Sequence, residues 1–223
     1  MAERVSEFSR GGHVEPDGRL DAAAFHRNHA PIWAVLEKFL AGKSGGVLEA
    51  GSGTGQHVVH FARHTPDIIW WPSDFLDAHL KSIAAWRAQA GLPNLRPEMR
   101  IDLSDPAWCS QMQDGSGPSE LLAVFCANVI HIAPWRVAEG LFAGAAHYLR
   151  PDGRLFLYGP FKRDGKHTAL SNAIFDTSLR DRDAEWGVRE IADVEKLAEG
   201  VGLALIETVP MPANNMILAF ARR

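Results

Sequence analysis

Residues 47–55, Val47-Leu48-Glu49-Ala50-Gly51-Ser52-Gly53-Thr54-Gly55, constrain this chain more than any other stretch. Two apolar residues run into an acid, and then into a loop with glycine at every second position. A helix-like run, residues 56–63, follows. Strand, glycine turn and helix start in that order make a corner suited to a small molecule. Glycine reaches positive φ and puts no Cβ between backbone and ligand. The helix start behind it offers unpaired N–H groups. A dinucleotide fingerprint would read G-x-G-x-x-G. Here the spacing is G-x-G-x-G, with Glu49 two residues before the first glycine. The bland alternative is a glycine turn with no ligand, which is costly in chain entropy.

Strand-like and helix-like segments alternate around that corner. Residues 47–50, 67–72, 97–103, 121–126 and 155–158 read as strands. Residues 76–90 and 138–148 read as helices, the second ending before the turn signal Pro151-Asp152-Gly153. This order implies a parallel sheet with right-handed crossovers and helices on both faces. Residues 21–40 read as a helix broken at Pro31. Beyond the core, residues 168–180 and 191–198 are helical, and residues 201–209 and 216–220 form a closing hairpin.

Composition narrows the function classes. The chain has 223 residues and a net charge of -4, with no dense Lys/Arg run. It therefore carries no extended nucleic-acid footprint, though a single modified nucleotide stays possible. Residues 1–10 lack the apolar core of a signal peptide. The apolar run 121–132 is too short for a bilayer and is interrupted by Asn128 and His131. Cys109 and Cys126 lack metal-ligand spacing, so no metal site is expected and a reducing, cytoplasmic setting is. A single domain is the simplest division.

The pattern E-x-G-x-G-x-G, from Glu49 to Gly55, resembles motif I of the class I S-adenosylmethionine-dependent methyltransferases. The wider chain is similar to an uncharacterised family of these enzymes that includes a small human methyltransferase-like protein. The marks are Arg27-Asn28 with Pro31-Ile32, Gly51 to His57, Trp71-Pro72-Ser73-Asp74, Glu139-Gly140-Leu141-Phe142, and Tyr158-Gly159-Pro160-Phe161 with Gly165-Lys166. Ser171-Asn172 with Phe175-Asp176, Glu185-Trp186-Gly187 with Arg189, and Met211 to Asn215 complete them. Phe161 departs from the tyrosine of relatives. The resemblance implies an α/β, Rossmann-like sheet of seven strands, mostly parallel, with a C-terminal antiparallel hairpin. It divides one methyltransferase domain, 1–223, into an N-terminal lid (1–42), a cofactor core (46–160) and a substrate side (161–223).

Its implied cofactor is S-adenosylmethionine, with S-adenosylhomocysteine as product. The implied cofactor residues are Arg27, Asn28, Glu49, Gly51, Ser52, Gly53, Gly55, Asp74, Phe75, Asp102, Leu103 and Asn128. Asp74 stands about 20–25 positions past the turn, where an acid accepts bonds from ribose hydroxyls; capping the next helix is its alternative. Asp102 would face adenine or simply hold a turn. Asn128 would close the pocket floor or brace a strand-to-helix turn. Arg27 would pair the cofactor carboxylate from the lid, or belong to a solvated helix face.

Methyl transfer needs a base only if the acceptor must lose a proton. His131 and Tyr158 are the catalytic candidates, with His57 behind them. Each has a plain packing alternative. Asn172, Trp186, Arg189, Asn214 and Asn215 would line the substrate side, unless the last two are only turn chemistry. The expected partner is a small-molecule methyl acceptor, with its nucleophilic atom and the oligomeric state left open. A protein or modified-nucleotide acceptor, and a non-catalytic cofactor-binding subunit, are the competing readings.

Overall fold

The structure, a computed structural model, describes residues 13–108 and 117–223. Cys109 and the expectation for residues 1–10 fall outside the described residues. The chain divides into two compact units, Met1–Ile101 and Asp102–Arg223.

The first unit opens with a two-residue pair, β1 (His13–Val14) and β2 (Leu20–Asp21). Then come α1 (Ala23–Leu40), β3 (Gly45–Ala50), α2 (Gln56–His64), β4 (Ile68–Asp74), α3 (Asp77–Ala90) and β5 (Met99–Arg100). β3 pairs parallel with β4, and β4 with β5. Trp70 of β4 is fully buried, and its Nε1 donates to Thr65 Oγ1 at 2.8 Å. The helix expected to break at Pro31 is continuous. Asn28, Ile32, Leu36 and Leu40 are buried at four-residue spacing along it. Burial of that one face offsets the hydrogen bond a proline omits.

The second unit contains β6 (Leu121–Ala127), α4 (Trp135–Tyr148), β7 (Leu149–Gly159), β8 (Phe161–Arg163), β9 (Lys166–His167) and α5 (Leu170–Arg180). β10 (Arg189–Glu190), α6 (Ile191–Gly200), β11 (Leu203–Met211) and β12 (Asn215–Arg222) follow. β6 pairs parallel with β7, while β12 runs antiparallel to both β7 and β11. β8 pairs parallel with β10 and antiparallel with β9. The expected turn at Pro151-Asp152-Gly153 lies inside β7. There the register jumps from Leu121↔Leu149 to Ala123↔Arg154, so the turn residues form a bulge in a longer strand. A Cβ on Gly153 would stand 2.9 Å from the Arg150 carbonyl, which is why glycine fits this bulge.

Among the described residues the main sheet has seven strands. Three belong to the first unit, in the order β3-β4-β5, and four to the second, in the order β11-β12-β7-β6. The mostly parallel sheet with a C-terminal antiparallel hairpin is thus the architecture expected from the sequence. The third strand is shorter than expected, because residues 102–105 close into a turn.

Candidate functional site

The glycine turn follows the carboxyl end of β3. Gly51, Gly53 and Gly55 have φ of 73°, 57° and 88°. A Cβ on Gly55 would come 2.9 Å from Ile83 Cα, so Gly55 is needed for packing of the turn against α3. A Cβ on Gly53 would meet nothing within 4 Å. The two glycines therefore differ in kind: one permits contact inside the protein, the other leaves open space above the turn.

The ends of β3 and β4 are sewn together by polar groups. Ser52 N donates to the Ser73 carbonyl at 2.7 Å, and Ser73 N donates to Ser52 Oγ at 3.1 Å. Both hydroxyls donate to the Glu49 carbonyl. Asp74 is buried; its Oδ2 accepts the Gly53 amide at 3.0 Å and its Oδ1 accepts the Leu76 amide at 3.0 Å. His79 Nδ1 stands 3.1 Å from Asp74 Oδ2, at ion-pair distance without hydrogen-bond geometry. Asp74 thus serves the turn and the start of α3 at once. Each carboxylate oxygen keeps a further acceptor site.

Glu49 is 2% exposed, and its Oε2 has no hydrogen-bond partner. Burial pushes its pKa up to about 8, with the Asp74 charge adding to the effect against the Ser52 hydrogen bond. An orphan carboxyl oxygen beside an open glycine turn is chemically suited to a cation carrying N–H donors. Phe75, just after Asp74, is 56% exposed, a flat apolar face left uncovered at the end of β4.

The start of α1 is fastened behind the turn. Gln56 Oε1 accepts the Ala22 amide at 2.7 Å, and its Nε2 donates to Asp21 Oδ1 at 2.7 Å. Asn28 is buried and bonds His57 Nε2 through Oδ1 at 2.8 Å, joining α1 to α2. Arg27 is exposed. Residue type alone does not single out Gln56 as the clamp; its place right after the last glycine is the usable signal.

In the second unit, Asp102 is exposed and accepts both the amide and the hydroxyl of Ser104, at 2.8 and 2.7 Å. Leu103 is buried. Asn128 takes a left-handed conformation, φ 61°, and its amide donates to the Tyr158 carbonyl at 2.8 Å. Tyr158 is buried at the end of β7, where Asn215 Nδ2 donates to its hydroxyl at 2.9 Å.

His131 is fully buried and neither ring nitrogen has a hydrogen-bond partner. Its ring lies edge-on to Phe161 at 5.0 Å. Burial, then the Arg189 charge, pushes its pKa down to about 3. Its imidazole is therefore neutral throughout the physiological range.

The other substrate-side candidates are largely engaged with one another. Asn172 Nδ2 donates to Thr168 Oγ1 and to the Asn214 carbonyl, and Asn214 Nδ2 donates to Ser171 Oγ. Arg189 donates to the carbonyls of Ile130, Ala133 and Glu185 at 2.6–2.8 Å. Trp186 is half-buried in the loop before β10, its amide donating to the Asp183 carbonyl. Among the described residues no group of three or more His, Cys, Asp or Glu is placed to hold a metal ion. No helix among them is long and apolar enough to cross a membrane.

This fold recurs in solved methyltransferase structures. An O-methyltransferase family protein from Burkholderia thailandensis aligns over 89% of this chain and 57% of its own, at 17% identity and a TM-score of 0.73. The pyocyanin biosynthetic protein PhzM aligns over 90% and 56%, at 15% identity and a TM-score of 0.68. CalO1, a methyltransferase in calicheamicin biosynthesis solved in its SAH-bound form, aligns over 87% and 55%, at 14% identity and a TM-score of 0.63. The chain spans a little over half the length of these proteins, and the likeness is one of fold. At the level of sequence family the assignment is direct: the profile described as "Protein of unknown function (DUF938)" matches residues 19–222, and the chain belongs to that family.

Proposed function

We propose that this protein is an S-adenosylmethionine-dependent methyltransferase acting on a small molecule. The observation that carries the reading is Glu49: a buried carboxyl with an orphan oxygen beside a glycine turn that is open above Gly53. S-adenosylmethionine carries an ammonium, a cation with the N–H donors such a group suits, and the fold is that of methyltransferase structures. When bound, the cofactor supplies an activated methyl group.

In this reading Gly51, Ser52, Gly53 and Gly55 shape the turn, and Glu49 holds the cofactor's ammonium. Asp74 uses its remaining acceptor sites for the ribose hydroxyls, and Phe75 offers its exposed ring to the adenine. Roles for Arg27, Asn28, Asp102, Leu103 and Asn128 rest on the family resemblance, as does the division into lid (1–42), cofactor core (46–160) and substrate side (161–223). Asn28 and Asp102 already have partners of their own, so their contribution is one of support.

The chain's part in the chemistry is orientation and water exclusion, the main needs of an in-line displacement. Tyr158 and Asn215 form a fixed hydrogen-bonded pair for positioning an acceptor. Buried, neutral His131 supports the walls of that region better than it serves as a proton shuttle. The favoured acceptor is one whose nucleophile needs no strong protein base. Incubating the protein with methyl-labelled S-adenosylmethionine and fractionated metabolite pools tests the reading. Label should pass to a small molecule. Transfer only to protein or nucleic acid, or to nothing despite tight cofactor binding, would contradict it.

A further inference from the structure

The second unit holds a cleft of about 710 Å³ between the start of α4, the end of α5, β8 and α6. That volume is in the range of small-ligand sites. Its apolar floor includes Val188 and Leu197, and Trp135 forms one wall. Four cations line it, Lys162, Arg180, Arg189 and Lys196, against two acids, Glu190 and Asp193.

The state of each charge gives the cleft its character. Arg189 is tied to three backbone carbonyls and lies over the Trp135 ring, its Cζ 5.6 Å from the ring centroid. Arg180 gives Nε to Asp176 at 3.3 Å, while among the described residues its two terminal nitrogens make no hydrogen bond. Among the described residues, the side-chain ammonium groups of Lys162 and Lys196 make neither a hydrogen bond nor an ion pair, Lys162 being paired through its backbone alone. Glu190 is drawn away by the Gly165 amide, which donates to its Oε2 at 2.9 Å. Asp193 stands in the first turn of α6, where its charge answers the helix N-terminus. Burial first, then the neighbouring Arg180 charge, hold Arg189 below the usual arginine range. Positive charge is therefore crowded in the cleft and left incompletely answered.

We propose that this cleft is a binding site for a small organic anion with a flat ring, held by Lys162, Arg180 and Lys196 and stacked beside Trp135. Guanidinium and ammonium groups take carboxylate or phosphate oxygens through charge-assisted bonds, and the Trp135 wall with its apolar floor takes the ring. The cleft is lined by residues of the second unit alone, and the proposal does not depend on the methyl-transfer reading.

Calorimetry of the full chain with phenyl phosphate tests it. Saturable one-site binding is expected, weakening as salt is raised. The double variant Lys162→Ala/Lys196→Ala should lose roughly tenfold or more in affinity. Lys196 is exposed and Lys162 half-buried, so the variant should keep a melting temperature close to the parent's. Inorganic phosphate should bind more weakly than phenyl phosphate, and Trp135→Ala should remove that difference. Non-saturating heats with both probes, or equal affinity in the parent and the double variant, would overturn the proposal. S-adenosylmethionine titrated into the same double variant should bind as in the parent, which keeps the two readings distinguishable.

Discussion

The Asp74 carboxylate accepts the Gly53 amide at 3.0 Å, so the acid at the end of β4 holds the middle of the turn that follows β3. Its other oxygen holds Leu76 at the start of α3. Asp74→Ala should therefore weaken the fold as well as any ligand bound there. Two half-buried amides would lose a charged acceptor, a loss of about 1–3 kcal/mol. Asp74→Asn, which keeps one carbonyl acceptor, should cost less. Urea unfolding of the three proteins checks the order. Equal stability in all three would show that the turn does not need this brace.

Glu49 should make stability depend on pH in a definite direction. Its pKa is raised from 4.5 to about 8 in the folded protein. The folded state holds the proton more tightly, so the contribution is fully present below about pH 4.5 and is lost as pH rises through about 8. Glu49→Gln keeps the neutral form at every pH. The stability of the variant relative to the parent should rise between pH 5 and 8 and level off above. A difference independent of pH would mean that Glu49 is ionised in the fold. A cation bound beside Glu49 should also expel its proton, so cofactor binding near pH 7 should release protons, read as a buffer-dependent calorimetric enthalpy.

Three histidines pull the other way in acid. Burial depresses His57 to about 3, His60 to about 4 and His131 to about 3, and His29 adds to the effect on the first two. These groups contribute stability that is complete above their ordinary value of 6.5 and is lost as pH falls through their folded values. Unfolding midpoints should drop steeply from pH 6 towards pH 4, against the gain from Glu49 in the same window. His57→Asn/His60→Gln should flatten that drop. An unchanged slope would place the acid sensitivity elsewhere.

Gly159 and His131 form a size-matched pair. A Cβ on Gly159 would come 2.4 Å from His131 Nε2. Gly159→Ala should destabilise by about 1–3 kcal/mol through overpacking. His131→Ala should leave a cavity of comparable cost. The double variant should be more stable than the sum of the two predicts, because each change relieves the other. Strict additivity would show that the ring and the glycine do not meet.

The architecture was legible because it rests on local patterns. Apolar runs bounded by turn residues marked β3, β4 and β6, and the glycine spacing marked the turn between β3 and α2. Two proline signals misled for one reason, that distant packing overrode a local breaker. Pro31 rides inside α1 because one face of that helix is buried, and Pro151 sits in a bulge because β6 continues alongside. The candidate site was legible at Glu49, Gly53 and Asp74, where residue type and strand end coincide. His131 and Arg189 were less so, since burial and carbonyl partners come from residues far away in the chain. The cationic cleft left no trace at all: Lys162, Arg180 and Lys196 stand on three elements with no shared period.

The central claim is tested most directly by titrating S-adenosylmethionine into the protein and into Gly53→Asn. Asparagine tolerates the left-handed conformation of Gly53, so the variant should fold. Its side chain would occupy the open space above the turn. The parent should bind S-adenosylmethionine and S-adenosylhomocysteine but not NAD, and the folded variant should bind neither of the first two. Binding of both ligands by the folded variant with parental affinity, or no binding by the parent, would contradict a cofactor site at this turn.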